Sequence, residues 1–174
     1  IYDIGMSHLG MKILYHLLNE REDTWCERVF APWPDLEKEM RENGYKLFAL
    51  ESQEPVDNFD FIGFTMQYEM SFTNIINMID LAGIPIKSAD RTDGMPFVIG
   101  GGPAAINPEP LADYFDLYNL GDGEEMLPEI MEVYSQWKKD GADRKEFLRR
   151  VSKVEGVYVP SMYEPKYDEK GDFV

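Results

Sequence analysis

Glycine, carboxylate and a few polar side chains gather where apolar runs of this chain end, and chemistry would have to be done at those ends. Phe97, Val98 and Ile99 stop in Gly100-Gly101-Gly102-Pro103, and Leu117-Tyr118-Asn119-Leu120 stop in Gly121-Asp122-Gly123-Glu124-Glu125. An apolar run that halts in glycine lets the backbone turn sharply or lie close against a flat ligand. Two such halts in adjacent strand-like segments predict one rim of a parallel sheet, where α/β domains bind ligands. Thr65, Gln67, Tyr68 and Glu69 follow a third apolar run and fall on the same rim. A core helix has no need of such side chains there, so they are candidate ligand contacts. Ser7 and His8 follow the opening segment and share that expectation.

Other chemistries fit these residues less well. Gly100 to Ala105 match G-x-G-x-x-A formally, but they follow a late strand, and Pro108 and Pro110 interrupt any long helix behind them. Asp122, Glu124 and Glu125 could form a metal or general-base cluster, yet capping of a helix start accounts for all three. His8 and His16 are too far apart on a helix to share a metal as an i, i+4 pair, and no H-E-x-x-H, G-x-S-x-G or Walker loop occurs. Cys26, the only cysteine, sits in the strand-like run 25–30 and reads as a buried structural thiol.

The length of 174 residues suits one domain, and 44% apolar residues with 13% aromatics supply a sizeable core. Lys and Arg number 17 against 33 Asp and Glu, a formal net charge of −16. Such a surface repels phosphate backbones, so neither nucleic acid nor an anionic membrane is an expected partner. One cysteine excludes a disulfide scaffold, and no signal peptide or membrane-spanning run is present. A cytoplasmic location is the default expectation. The first residue is not methionine and the last segment carries no stop signal, which reads as a piece of a longer protein.

Strand-like and helix-like segments alternate. Residues 1–5 read as the end of a first strand, after which Ser7 caps a helix whose face is Leu9, Ile13, Leu14 and Leu17. Residues 25–30 read as a strand, Pro34 opens a helix that closes at Asn43-Gly44, and 46–50 form a short strand. Residues 59–65 read as the strongest central strand. Phe72, Ile75, Ile76, Ile79 and Ala82 mark a helix closed by Gly83 and Pro85. Strands over 97–100 and 117–120 follow, then a helix with Met126, Leu127, Ile130, Tyr134 and Trp137 on its buried face, ending near Gly141. Asp122 with Glu125, and Asp143 with Glu146, have capping-box spacing. Residues 156–163 read as an edge strand and 164–174 as a linker. The expected fold is α/β: a doubly wound, mainly parallel, flavodoxin-like sheet over 1–155.

The order of Gly63-Phe64-Thr65, Gly101-Gly102-Pro103 and Gly121-Asp122-Gly123-Glu124 resembles the N-terminal B12-binding-type domain of radical SAM enzymes, whose last two motifs usually read GGPH and GEGE. The likeness sharpens at Phe30-Ala31-Pro32-Trp33-Pro34-Asp35, Leu50-Glu51-Ser52, Gln67-Tyr68-Glu69 and Asn107-Pro108-Glu109-Pro110-Leu111-Ala112-Asp113. It extends from Gly5-Met6-Ser7-His8-Leu9-Gly10 to Gly156-Val157-Tyr158-Val159-Pro160. The resemblance implies cobalamin held over the strand ends, beside a C-terminal radical SAM barrel that carries a 4Fe–4S cluster and S-adenosylmethionine. Carried over by position, the cofactor contacts would be Ser7, His8, Thr65, Gln67, Gly100, Gly101, Gly102, Pro103, Gly121 and Glu124.

The chain departs from that family at three points. The D-x-H-x-x-G motif that places an axial histidine under cobalt is absent, and Ala104 stands where GGPH has its histidine. Cobalamin is therefore expected without a protein histidine on the metal. The C-x-x-x-C-x-x-C cluster motif is also missing, so these residues alone perform no radical chemistry. A cofactor-free docking or substrate-recognition domain is the competing expectation, and a nucleotide-binding domain the third.

Overall fold

The computed structural model describes residues 2–164 and 166–171. Its sheet has four strands: β1 (Phe61–Thr65), β2 (Phe97–Gly101), β3 (Leu117–Asn119) and β4 (Val157–Tyr158). Their spatial order follows the chain, β1-β2-β3-β4, with the first two pairings parallel and β4 antiparallel at the edge. Around it lie α1 (Tyr2–Gly5), α2 (Leu9–Asn19), α3 (Pro34–Asn43), α4 (Phe72–Leu81), α5 (Gly123–Asp140) and α6 (Arg144–Val151).

Side chains alternate across the strands and so build two cores. Ile62, Val98 and Tyr118 point to the face covered by α4, where Ile75 and Ile79 are buried beside Met66, Leu111 and Phe115. Phe97, Ile99 and Leu117 point to the other face and meet Ile130 of α5 and Phe147 and Val151 of α6. Helices on both faces of a mainly parallel sheet make this the doubly wound, flavodoxin-like α/β fold that the sequence predicts. The apolar faces of α4, α5 and α6 fall on the expected residues. Gly44 and Gly141 take the left-handed conformation just past α3 and α5, as a helix stop requires.

Several expectations fail where a strand or cap depended on a partner elsewhere. Tyr2–Gly5 is a helical turn, not the end of a strand, and the Ile1 part of that expectation lies outside the described residues. Residues 25–30 are extended but join no ladder, because side chains engage their backbone instead. Asn19 brackets Cys26, donating to its carbonyl at 3.0 Å and accepting from its amide at 2.9 Å. Residues 46–50 make a single bridge, Phe48 to Pro55, rather than a strand. As neither segment pairs with β1, the expected central strand is an edge strand among the described residues. Of the edge strand expected over 156–163, only Val157–Tyr158 forms, because Pro160 opens the 3-10 turn Pro160–Met162. The linker expected over 164–174 includes residues 165 and 172–174, which lie outside the described residues.

Capping also differs. His8, not Ser7, caps α2: its Nδ1 accepts from the Met11 amide at 3.0 Å, while Ser7 Oγ donates to the Ile4 carbonyl. Asp122 precedes α5 without a side-chain cap, whereas Asp143 accepts from the Glu146 amide at 2.8 Å as its spacing predicts. The expected apolar face of α2 is turned: Leu9 and Ile13 are exposed, and Met11, Leu14, Tyr15 and Leu18 face a cavity.

Candidate functional site

A cavity of about 970 Å³ runs along the open edge of β1. Its walls are β1, the α2 side chains named above, the extended stretch that includes Val29, and Leu127 and Met131 of α5. At the C-terminal ends of the strands it reaches His8, Thr65, Gln67, Gly101, Gly102, Gly121 and Glu124. Seven of the ten residues singled out from the sequence thus converge on one wall. Topology brings them together: β1, β2 and β3 are parallel neighbours, so the loops after them share a rim.

The other three are placed elsewhere. Gly100 is buried on the α4 face, and a Cβ there would lie 2.7 Å from the Tyr118 ring. Pro103 begins the 3-10 turn Pro103–Ile106, and Ser7 is exposed beside α1; neither lines the cavity. The glycines of the wall also differ in kind. Gly102, at φ +102°, packs against the Met66 backbone, where a Cβ would come within 2.9 Å of a carbonyl oxygen. Gly101 has extended backbone, and its nearest neighbour would be 3.6 Å away, so this glycine is open to the cavity.

Asn119, at the end of β3, was missed by sequence reasoning. Its side chain lines the cavity at 6% exposure, and its Oδ1 has no hydrogen-bond partner among the described residues. One other buried side-chain oxygen among the described residues shares that state: Asp57 Oδ1, whose companion oxygen pairs with Lys46. A buried acceptor left unpaired costs roughly 1–3 kcal/mol, which an ordered water or a ligand donor would relieve. Beside Asn119, the amides of Gly123 and Glu124 open α5, and no described residue accepts from them. The rim therefore offers one buried acceptor next to two free donors, flanked by the carboxylates of Asp122, Glu124 and Glu125.

The remaining polar groups are more fully engaged. Gln67 Nε2 donates to Thr65 Oγ1 at 2.6 Å, which fixes both side chains over the end of β1. Since His8 Nδ1 accepts the Met11 amide, the proton of the neutral ring sits on Nε2, which can donate but cannot ligate a metal. Burial, with Glu51 and Glu27 nearby, pushes the Cys26 thiol up to about 11, so it stays protonated near neutral pH and is a poor nucleophile.

This is a doubly wound domain with a large cavity that reaches the C-terminal ends of its parallel strands. Residues 10–160 match the family described as radical SAM proteins, N-terminal, and the chain belongs to that family. It is also similar to an uncharacterised protein of Methanocaldococcus jannaschii, 24% identical over 132 residues. That alignment takes in 70% of this chain and 28% of the relative, so the chain spans little more than a quarter of that relative's length. No solved structure matches. No helix among the described residues is long and apolar enough to cross a membrane.

Proposed function

We propose that this chain is an accessory domain of a larger radical SAM protein and holds cobalamin on its cavity rim, without a protein histidine on cobalt. Asn119 carries the reading. Its buried, unpartnered Oδ1 lies beside the free amides of Gly123 and Glu124, and a primary carboxamide can donate to the first and accept from the second. The corrin periphery is a ring of neutral carboxamides. A dinucleotide would instead bring a pyrophosphate against Asp122, Glu124 and Glu125, which like-charge repulsion disfavours. Gly101 supplies bare backbone for a flat macrocycle, Thr65 and Gln67 present a fixed polar edge, and His8 Nε2–H offers a further donor. When bound, cobalamin would contribute alkyl-transfer or radical chemistry. The protein's part is to hold and orient it.

A second reading rests on a different observation. Met70 and Ile106 are each 83% exposed in the turns after β1 and β2, and Tyr68 and Leu120 are exposed nearby. Apolar side chains gathered at the rim suit a protein interface, and the C-terminal radical SAM barrel is the partner the family suggests. Docking alone would need no cofactor.

The test mixes the protein with hydroxocobalamin, removes free ligand by gel filtration and records the visible spectrum. One retained corrin per chain is expected, with no spectral change diagnostic of histidine ligation. Gly101→Leu should lower retention by at least about tenfold, because Gly101 lines the cavity and a Cβ there meets only ordinary contacts. No retention at high micromolar ligand would overturn the cobalamin reading and leave the docking one.

A further inference from the structure

The cavity extends well beyond the rim. It follows β1 for the whole length of that strand, from Asp60 beside Tyr134 and Lys138 at one end to Thr65 and Gly101 at the other. A ligand at the rim accounts for the upper part only. The backbone of the two walls explains the rest.

Asp60 accepts from the Phe97 amide, and the Met66 amide donates to Gly101, so even-numbered residues of this stretch turn their backbone groups toward β2. The N–H and C=O groups of Phe61, Gly63 and Thr65 point the opposite way, into the cavity, and no described residue bonds to them. The facing wall repeats the pattern. Cys26 is bonded to Asn19, the Arg28 amide to Glu51 and the Arg28 carbonyl to the Leu50 amide, all on the far side. Among the described residues, the Glu27 amide and both backbone groups of Val29 have no partner, and the Glu27 carbonyl meets only the Cys26 thiol at 3.9 Å. Two extended segments thus direct alternate, unpaired backbone groups toward the same slot.

We propose that this slot is the seat of a fifth β-strand, inserted parallel to β1 between it and residues 25–29, and supplied by polypeptide upstream of Tyr2. The direction follows from α2. Leu14 lies against Gly123 at the start of α5, and Arg21 pairs with Glu132 two turns further on, so α2 and α5 run the same way. Since α5 starts at the rim where β3 ends, α2 starts at that rim too. A helix starting there is fed by a strand running toward it, as in every β-α unit of a doubly wound sheet. Tyr2 and Gly5 are held at the near end of the facing wall, with the Tyr2 ring edge-on to Phe30 at 5.8 Å. The occupant would be about five residues long to match β1, and apolar on both faces. Its insertion would make β1 central, which explains why residues 59–65 read as a central strand. The seat lies in the body of the sheet and needs no cofactor.

Backbone amide exchange and interstrand NOEs in the intact, isotopically labelled protein test it. Ile62 and Phe64 amides bond to β2 in any case and serve as internal standards. Gly63, Thr65 and Val29 amides should exchange within about tenfold of them, with NOEs from Gly63 to residues upstream of Tyr2. Exchange at least about 100-fold faster than the standards would overturn the proposal. So would protection whose NOEs lead to a second copy or to a downstream segment. Cobalamin retention can fail while these amides are protected, and the reverse also holds, so the two readings fall separately.

Discussion

At the N-terminal ends of β2 and β3, three buried charges satisfy one another, while at the C-terminal ends of the same strands a buried amide oxygen has no partner. Asp116 Oδ2 accepts from Arg91 and from the Val98 amide, each at 2.8 Å, and Oδ1 pairs with Arg144 at 2.8 Å. Both guanidinium groups make further bonds. Arg91 donates to the carbonyls of Pro85, Ile86 and Tyr114, and Arg144 to those of Met95 and Pro96 while lying 3.9 Å over the Phe97 ring. Burial pulls Arg91 below the usual guanidinium range, and Asp116 pulls it back up. The lower end is a closed network that ties the loop before β2, the start of β3 and the start of α6 together. The upper end leaves a donor–acceptor set open. One strand pair is thus anchored at one end and available at the other, which is how a scaffold holds a site in position.

The largest expected effect breaks the closed end. Asp116→Ala leaves two buried guanidinium groups without their counter-charge, and losing one partner of a buried network costs roughly 3–5 kcal/mol. Urea unfolding should show that loss as a lower midpoint. A change below about 1 kcal/mol would mean that water reaches this end after all, and the contrast between the two ends would collapse.

Little of that contrast is legible in the residues alone. Arg91, Asp116 and Arg144 lie in different segments, and Arg91, in the polar stretch between α4 and β2, is only 5% exposed. Long-range charge pairing has no local pattern. The helices are legible because Ile75 and Ile79, or Ile130 and Tyr134, recur at helical spacing and because Gly44 and Gly141 stop them. Residues 25–30 carry strand-like side chains, but a ladder also needs a neighbour, and Asn19 and Glu51 occupy their backbone on one side. The rim was legible through its glycines and Thr65, since apolar runs stop there. Asn119 was hidden inside one of those runs, where the strand pattern masks a polar side chain.

The middle-sized effect separates two glycines that adjoin in the sequence. Gly102→Ala forces a Cβ into a region of backbone space reserved for glycine and against the Met66 carbonyl, and it should cost about 2 kcal/mol. Gly101→Ala meets only ordinary contacts, so its stability should change by less than about 1 kcal/mol. Thermal unfolding of the two variants measures the difference. Equal losses would mean that both glycines serve packing and that neither is kept for a ligand.

The smallest effect on stability is the most informative for the open end. Asn119→Leu keeps the branched outline of the side chain and removes an acceptor left unpaired among the described residues. If that acceptor serves only a ligand, the variant should unfold at higher urea, by about 1 kcal/mol, because the unpaired group no longer has to be buried. Corrin retention should fall in the same variant. The two signs must appear together: a more stable chain that binds less is the signature of a polar group kept for binding at a cost to the fold. A destabilised Asn119→Leu would show instead that a bound water already satisfies Oδ1. The open end would then be as closed as the lower one, with Asn119 a structural residue.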